Sequence, residues 1–131
     1  METIKKTSKT VLWISYILQG IVVLMFLMGA VQNLMQSETA VTQAMEMGYP
    51  ESSVLYLGLI LLISTVLYAI PKTNVIGAVL LTAWLGGAVA THVIHKDPFF
   101  YMILPVIFGI VIWLSIWLRD KQLKTLIPIK K

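Results

Sequence analysis

Residues 75–94 read VIGAVLLTAWLGGAVATHVI, twenty positions without one Asp, Glu, Lys or Arg. A charged side chain at the centre of a bilayer costs several kcal/mol, and about 20 apolar residues in a helix cross its ~30 Å hydrocarbon core. The run is continuous. A membrane β-strand would instead alternate polar and apolar residues over about ten positions. A helix is therefore the reading, because only a helix or a closed barrel satisfies its own backbone in lipid.

Working outward, three more runs share this character: 11–35, 54–70 and 99–118. The second of these borrows a turn from Ser52 and Ser53 at its start, which makes it 52–70, and stops at Ile70-Pro71, where proline opposes further helix. Hydrophobic residues make up 58% of the chain and charged ones 12%, against ~45–50% and ~25% in soluble domains. The expectation is an all-α membrane protein: one domain over 1–131, built as an antiparallel bundle of four transmembrane helices. Pro71 to Asn74 and His95 to Pro98 are tight turns, so the last three helices run up and down beside one another. Asn74 is the expected cap of the helix that follows it.

The longest connection is 36–53. Within it Ala40, Val41, Ala44 and Met45 recur at helical spacing, Ser37 suits a cap, Glu38 a first turn, and Gly48 a left-handed stop before Pro50. This predicts a short amphipathic helix over 38–47, lying on the bundle or in the headgroups. It serves either as a plug over the helix ends or as a lid on a ligand cavity.

Charge sets the orientation. Nine of the ten basic residues (Lys5, Lys6, Lys9, Lys72, Arg119, Lys121, Lys124, Lys130 and Lys131) fall on one side if the chain starts inside, and only Lys96 falls on the other. The positive-inside rule places both termini in the cytoplasm. Trp13, Tyr16, Tyr68, Trp113 and Trp117 read as the inner aromatic belt, and Tyr49, Tyr56, Phe99, Phe100 and Tyr101 as the outer one. The first run is too long for a cleaved signal peptide and reads as a signal anchor. The basic residues flank helices and form no stripe with interleaved aromatics, so the polyanion they address is the lipid headgroup and not nucleic acid.

No cysteine is present, which removes disulfides, thiol redox chemistry and iron–sulfur ligation. No Gly-rich phosphate loop and no Ser/His/Asp set occurs, and no run holds the buried acid that a proton-coupled exporter needs. No catalytic residue is assigned. His92 and His95 lie about 60° apart on one helix face, a spacing that permits metal sharing, but two ligands are too few for a secure site, and no metal is assigned. Polar groups at matching depth are Gln32, Asn33 and Tyr56; Trp84, with an indole N–H that wants an acceptor, shares a face with Thr91 and His95. These seven residues are the candidate ligand-binding set. They form either interfacial polar groups bonded to one another and to water, or the rim of an outward-facing pocket. Gln19, deeper in the first run, either lines a cavity or joins helices. Small residues crowd 77–91, with Ala83, Gly87 and Ala90 on one side, and predict close helix packing; Gly20 and Gly29 mark a contact line on the first helix.

The run from Gly77 to His92, the Gly48-Tyr49-Pro50 turn and the Tyr68-Ala69-Ile70-Pro71 ending together resemble the DoxX-like family of small membrane proteins, over nearly the whole chain. The resemblance implies a four-helix bundle in the bacterial cytoplasmic membrane, with Thr91-His92 as functional positions and Gly86-Gly87 as packing. Relatives tied to the membrane subunit of a thiosulfate:quinone oxidoreductase and to oxidative-stress complexes imply a redox partner protein. The expected function is binding, without catalysis, of a lipid-like or quinone-like molecule or a partner subunit near the outer leaflet. A membrane subunit of a quinone-linked redox complex and a small transporter are the alternatives. No cofactor motif is evident, and a homodimer through the small-residue face stays open.

Overall fold

A computed structural model describes residues 7–131. Lys5 and Lys6, which enter the charge argument, lie outside the described residues. Six helices follow in order: α1 (Lys9–Leu34), α2 (Glu38–Glu46), α3 (Ser53–Ala69), α4 (Asn74–Ile94), α5 (Phe99–Trp117) and α6 (Lys121–Leu126). No strand occurs among the described residues. By length and composition, α1, α4 and α5 are each sufficient to cross a membrane, and α3 is a shorter apolar helix of 17 residues.

The four apolar helices form a ring. α1 packs on α3, α3 on α4, α4 on α5, and α5 closes back on α1. Short turns join α3 to α4 and α4 to α5, and the longer segment carrying α2 returns the chain from α1 to α3, so every neighbour in the ring is antiparallel. The start of α1 meets the ends of α3 and α5 at one end of the ring, the terminus end. The opposite end is the α2 end.

Apolar side chains cover the outside of the bundle, as expected for a chain whose solvent is lipid: Trp13, Ile21, Leu24, Ile63, Val79 and Ile110 are all exposed. The interior holds Val22, Leu61, Leu81, Ile112 and Ile116. In lipid, apolar burial gives helices no drive to associate, so small residues and hydrogen bonds do the joining. Two glycines carry close approaches. A Cβ at Gly77 would lie 2.1 Å from the Tyr68 backbone nitrogen, and one at Gly58 would lie 2.8 Å from Asn33 Cβ. Gly77 belongs to the small-residue stretch expected to pack, but the other glycines expected to do so behave differently. A Cβ at Gly20, Gly86 or Gly87 would meet nothing within 4 Å, so none of them brings helices together within this chain. Gly29 makes ordinary contact with Leu61.

Local chemistry explains the ends. Ser37 accepts from Ala40 N and caps α2, and Gly48 takes φ +92, the left-handed stop. Asn74 is not the cap of α4. It is the first helical residue, and the preceding Thr73 turns its hydroxyl to Leu67 O at 2.7 Å. α6 was not expected; Asp120 caps it by accepting from Gln122 N and Leu123 N at 2.9 and 3.2 Å.

The terminus end is tied by polar groups inside the ring. Gln19 Nε2 donates to Tyr68 O at 2.9 Å, and its carbonyl accepts from Arg119. Arg119 also donates to Ser15 Oγ at 2.6 Å and Ser115 O at 3.2 Å. Tyr68 is fully buried and donates to Ile112 O at 2.7 Å, with Ser115 Oγ beside it. Tyr68 is therefore a core residue and not a member of the belt. It belongs there because a phenol that reaches two polar groups of α5 is satisfied away from water. Gln19 likewise joins helices, bonded to Tyr68 O and Arg119.

Candidate functional site

At the α2 end the bundle opens. A cavity of about 720 Å³ lies between α1 and α4, with Leu57 of α3 on one wall and α2 and Tyr49 across it. Such a volume lies within the range of small-molecule sites. α1 contributes Met28, Gly29, Gln32 and Asn33; α4 contributes Ala83, Trp84, Gly87, Ala88, Thr91 and His92. α2 presents Thr39, Ala40, Gln43 and Ala44, one stripe at helical spacing, and Met47 follows it. Gly87 is bare, so the cavity reaches the α4 backbone.

The cover is pinned at two points. Tyr49 OH lies 2.5 Å from Thr91 Oγ1. Thr91 donates its own proton to Gly87 O at 2.8 Å, so Tyr49 is the donor to Thr91. At the other end of α2, Ser37 Oγ donates to Gln32 Oε1 at 2.9 Å. Both ends of the amphipathic segment are thereby bonded to residues of the cavity wall.

His92 stands at the rim. Its Nδ1 lies 2.6 Å from Asp97 Oδ2, and the Nδ1 of His95 lies 2.7 Å from Asp97 Oδ1. An ionised carboxylate only accepts, so both imidazoles carry a proton on Nδ1. Those two hydrogen bonds, from His92 first and then His95, hold the Asp97 carboxyl below the usual carboxylate range. With Nδ1–H committed, neutral His92 keeps a lone pair on Nε2. Tyr101 stacks on the same imidazole, ring centroids 6.1 Å apart and planes at 25°. The arrangement orients His92 from both sides. Among the described residues no group of three His, Asp or Glu side chains has metal-holding geometry.

Five of the seven candidate residues come together here: Gln32, Asn33, Trp84, Thr91 and His92 all line the cavity. Two do not. Tyr56 is half exposed on the outer face of α3, because the next residue, Leu57, is the one turned to the cavity. His95 sits outside with its ring on Asp97. The expectation that Ala83 and Gly87 pack a helix is also corrected, since both face this cavity. Sequence reading missed Gln43 and Tyr49. The i, i+4 repeat of Thr39, Gln43 and Met47 marks the covering stripe, and Tyr49 follows the Gly48 stop that turns it back over α4.

No curated protein and no solved structure gives a significant match to this chain. The sequence profile of one family does match, over residues 17–115, which takes in most of α1, all of α2, α3 and α4, and α5 up to its last turn. Together with its apolar helical bundle, this match establishes that the chain is a membrane protein belonging to the DoxX-like family.

Proposed function

We propose that the α2-covered cavity holds a lipid-like or quinone-like molecule, taken from the outer leaflet of the cytoplasmic membrane, and that the protein binds it without transforming it. On this reading α3 is the fourth span. Its 17 residues sit at the lower limit for crossing a bilayer. Both termini are cytoplasmic, on the strength of nine basic residues against one, and the α2 end faces outward.

The observation that carries the reading is a cavity with apolar walls and a few convergent polar groups under an amphipathic cover, the usual composition of a small-molecule site. A ligand with a carbonyl or hydroxyl head group would find the Asn33 amide, the Trp84 indole N–H and the His92 imidazole among the walls of one cavity, and an apolar tail would leave along the lipid-facing side. His92 with Nδ1 committed to Asp97 suits acceptance of a ligand hydroxyl at Nε2.

Native mass spectrometry of the full chain, with extraction and identification of bound small molecules, tests this. Wild type is compared with His92→Ala and with Gly87→Leu, which fills the cavity from α4. A discrete adduct in wild type, lost in Gly87→Leu and weakened in His92→Ala, is the expected result. Clean apo masses in all three, or ordinary phospholipid bound equally by all three, would sink the proposal and turn the search to protein partners.

A further inference from the structure

A second concavity, of about 790 Å³, follows the seam between α4 and α5. No residue of α1 or α3 lines it, so it opens on the outside of the ring and is separate from the α2-covered cavity. Gly86 and Gly109 form its shallow middle, and Trp117, Ile127 and Pro128 close its terminus end. The polar side chains along it are all spent. Trp113 Nε1 donates to Thr82 Oγ1 at 2.7 Å, Thr82 donates to Ala78 O at 2.7 Å, and Trp117 Nε1 donates to Ile127 O at 2.9 Å. The groove offers an occupant no side-chain hydrogen bond. Its content is hydrocarbon.

The closed end is basic. Lys124 Nζ lies 5.1 Å from the centroid of the groove-lining Trp117 ring and donates one proton to Leu118 O at 3.0 Å, leaving two. Lys121 opens α6, and Lys130 and Lys131 follow Pro128. The one acid nearby, Asp120, is occupied in capping α6, and among the described residues no lysine forms an ion pair. An apolar groove ending in unpaired cations matches an acyl chain ending in a phosphate.

We propose that the α4–α5 groove is a binding site for an anionic phospholipid of the leaflet on the terminus side. One acyl chain lies along Gly86 and Gly109, and the phosphate meets Lys124 and its neighbours, as in basic sites at helix seams that retain anionic lipids. A second copy of the chain is the poorer occupant. Inserted in the same orientation, it would bring a second set of the same lysines to the same end, and its helix would run into Trp117 and the Ile127–Pro128 wall. A lipid ends where the wall stands.

The test is native mass spectrometry of the full chain in detergent, titrated with dioleoylphosphatidylglycerol or dioleoylphosphatidylcholine. Wild type should bind the first about tenfold more tightly, the scale expected for a few lysines against one anionic headgroup. Replacing Lys121, Lys124, Lys130 and Lys131 together by Gln should abolish that preference and leave weak, equal binding of both lipids. Gly86→Leu, at a position where an added Cβ meets no neighbour within 4 Å, should lose both lipids. Gly87→Leu, which fills the other cavity, should keep the preference, so failure here and failure of the outer-cavity reading are told apart. Equal affinity of wild type for the two lipids would overturn the proposal. So would a preference that survives the lysine changes, or a Gly86→Leu variant that turns a dimer into a monomer with lipid binding intact. The lysine variant alters only residues beyond α5, and it decides the matter alone if Gly86→Leu does not fold.

Discussion

The two ends of the bundle use polar side chains in opposite ways. At the terminus end, Ser15, Gln19, Tyr68, Ser115 and Arg119 bond to one another and to backbone carbonyls, and the space between them is filled. At the α2 end, Gln32, Asn33, Trp84, Thr91 and His92 stand around an opening of about 720 Å³. Residue type does not separate these groups. Saturation does. A polar group whose partners are all protein atoms fastens helices, and one that keeps a donor or acceptor beside a cavity is free for a ligand.

The sharpest way to break the closed end is Gly77→Ala. The new Cβ would fall 2.1 Å from Tyr68 N and 2.4 Å from Tyr68 Cα, both backbone atoms that cannot rotate away. Destabilisation of about 3 kcal/mol or more is expected, the upper range for overpacking, read as a lowered melting temperature in detergent or as failure to accumulate. Tyr68→Phe is milder. It removes the hydroxyl that donates to Ile112 O and leaves the ring in place, and should cost about 1–2 kcal/mol. A melting temperature unchanged by Tyr68→Phe would mean that the buried network does not fasten the bundle.

The open end should respond differently. Gly87→Ala meets no atom within 4 Å, and replacing a mid-helix glycine should stabilise α4 by up to about 1 kcal/mol. If it destabilises as Gly77→Ala does, the contrast between the ends is wrong. The smallest effect concerns pH. Asp97 is held below its ordinary range by the two imidazoles, so its contribution to stability is present above the ordinary carboxylate pKa of about 3.9 and is lost as pH falls through the lower folded value. Acidification below about pH 4 should therefore loosen the His92 rim, seen as shifts of the two imidazole signals in NMR. The terminus-end network contains no carboxylate among the residues above and should hold its signals over the same range.

The apolar helices were legible because the physics that makes them is local. Twenty uncharged residues and a proline at position 71 need no knowledge of neighbours. α2 was legible for the same reason, through Ser37, Glu38 and Gly48. Rotation about a helix axis was not. Depth put Tyr56 level with Asn33, but one residue along α3 is a turn of about 100°, and Leu57 took the inward place. Glycine roles also needed the third dimension. Of the three glycines in the small-residue stretch, Gly77 makes the expected close contact while Gly86 and Gly87 line two different hollows, and Gly58 on α3 supplies the other close approach. The buried network escaped because Ser15 with Gln19, and Ser115 with Arg119, read as scattered polar residues until α1 and α5 are placed side by side. Their shared i, i+4 spacing was the available signal.

The brevity of α3 has a consequence for the membrane around it. At 1.5 Å per residue, its 17 positions are about 26 Å long, where the 26 residues of α1 are about 39 Å long. A bilayer with a ~30 Å core that meets both flanks is too thick for one and too thin for the other, and mismatch costs a fraction of a kcal/mol per Å. On the proposed reading of α3 as a span, lipid beside it would be drawn thin and lipid beside α1 stretched or met by tilt. With α3 as the proposed fourth span, the bundle would impose a gradient of thickness on its own annulus, thinnest beside α3.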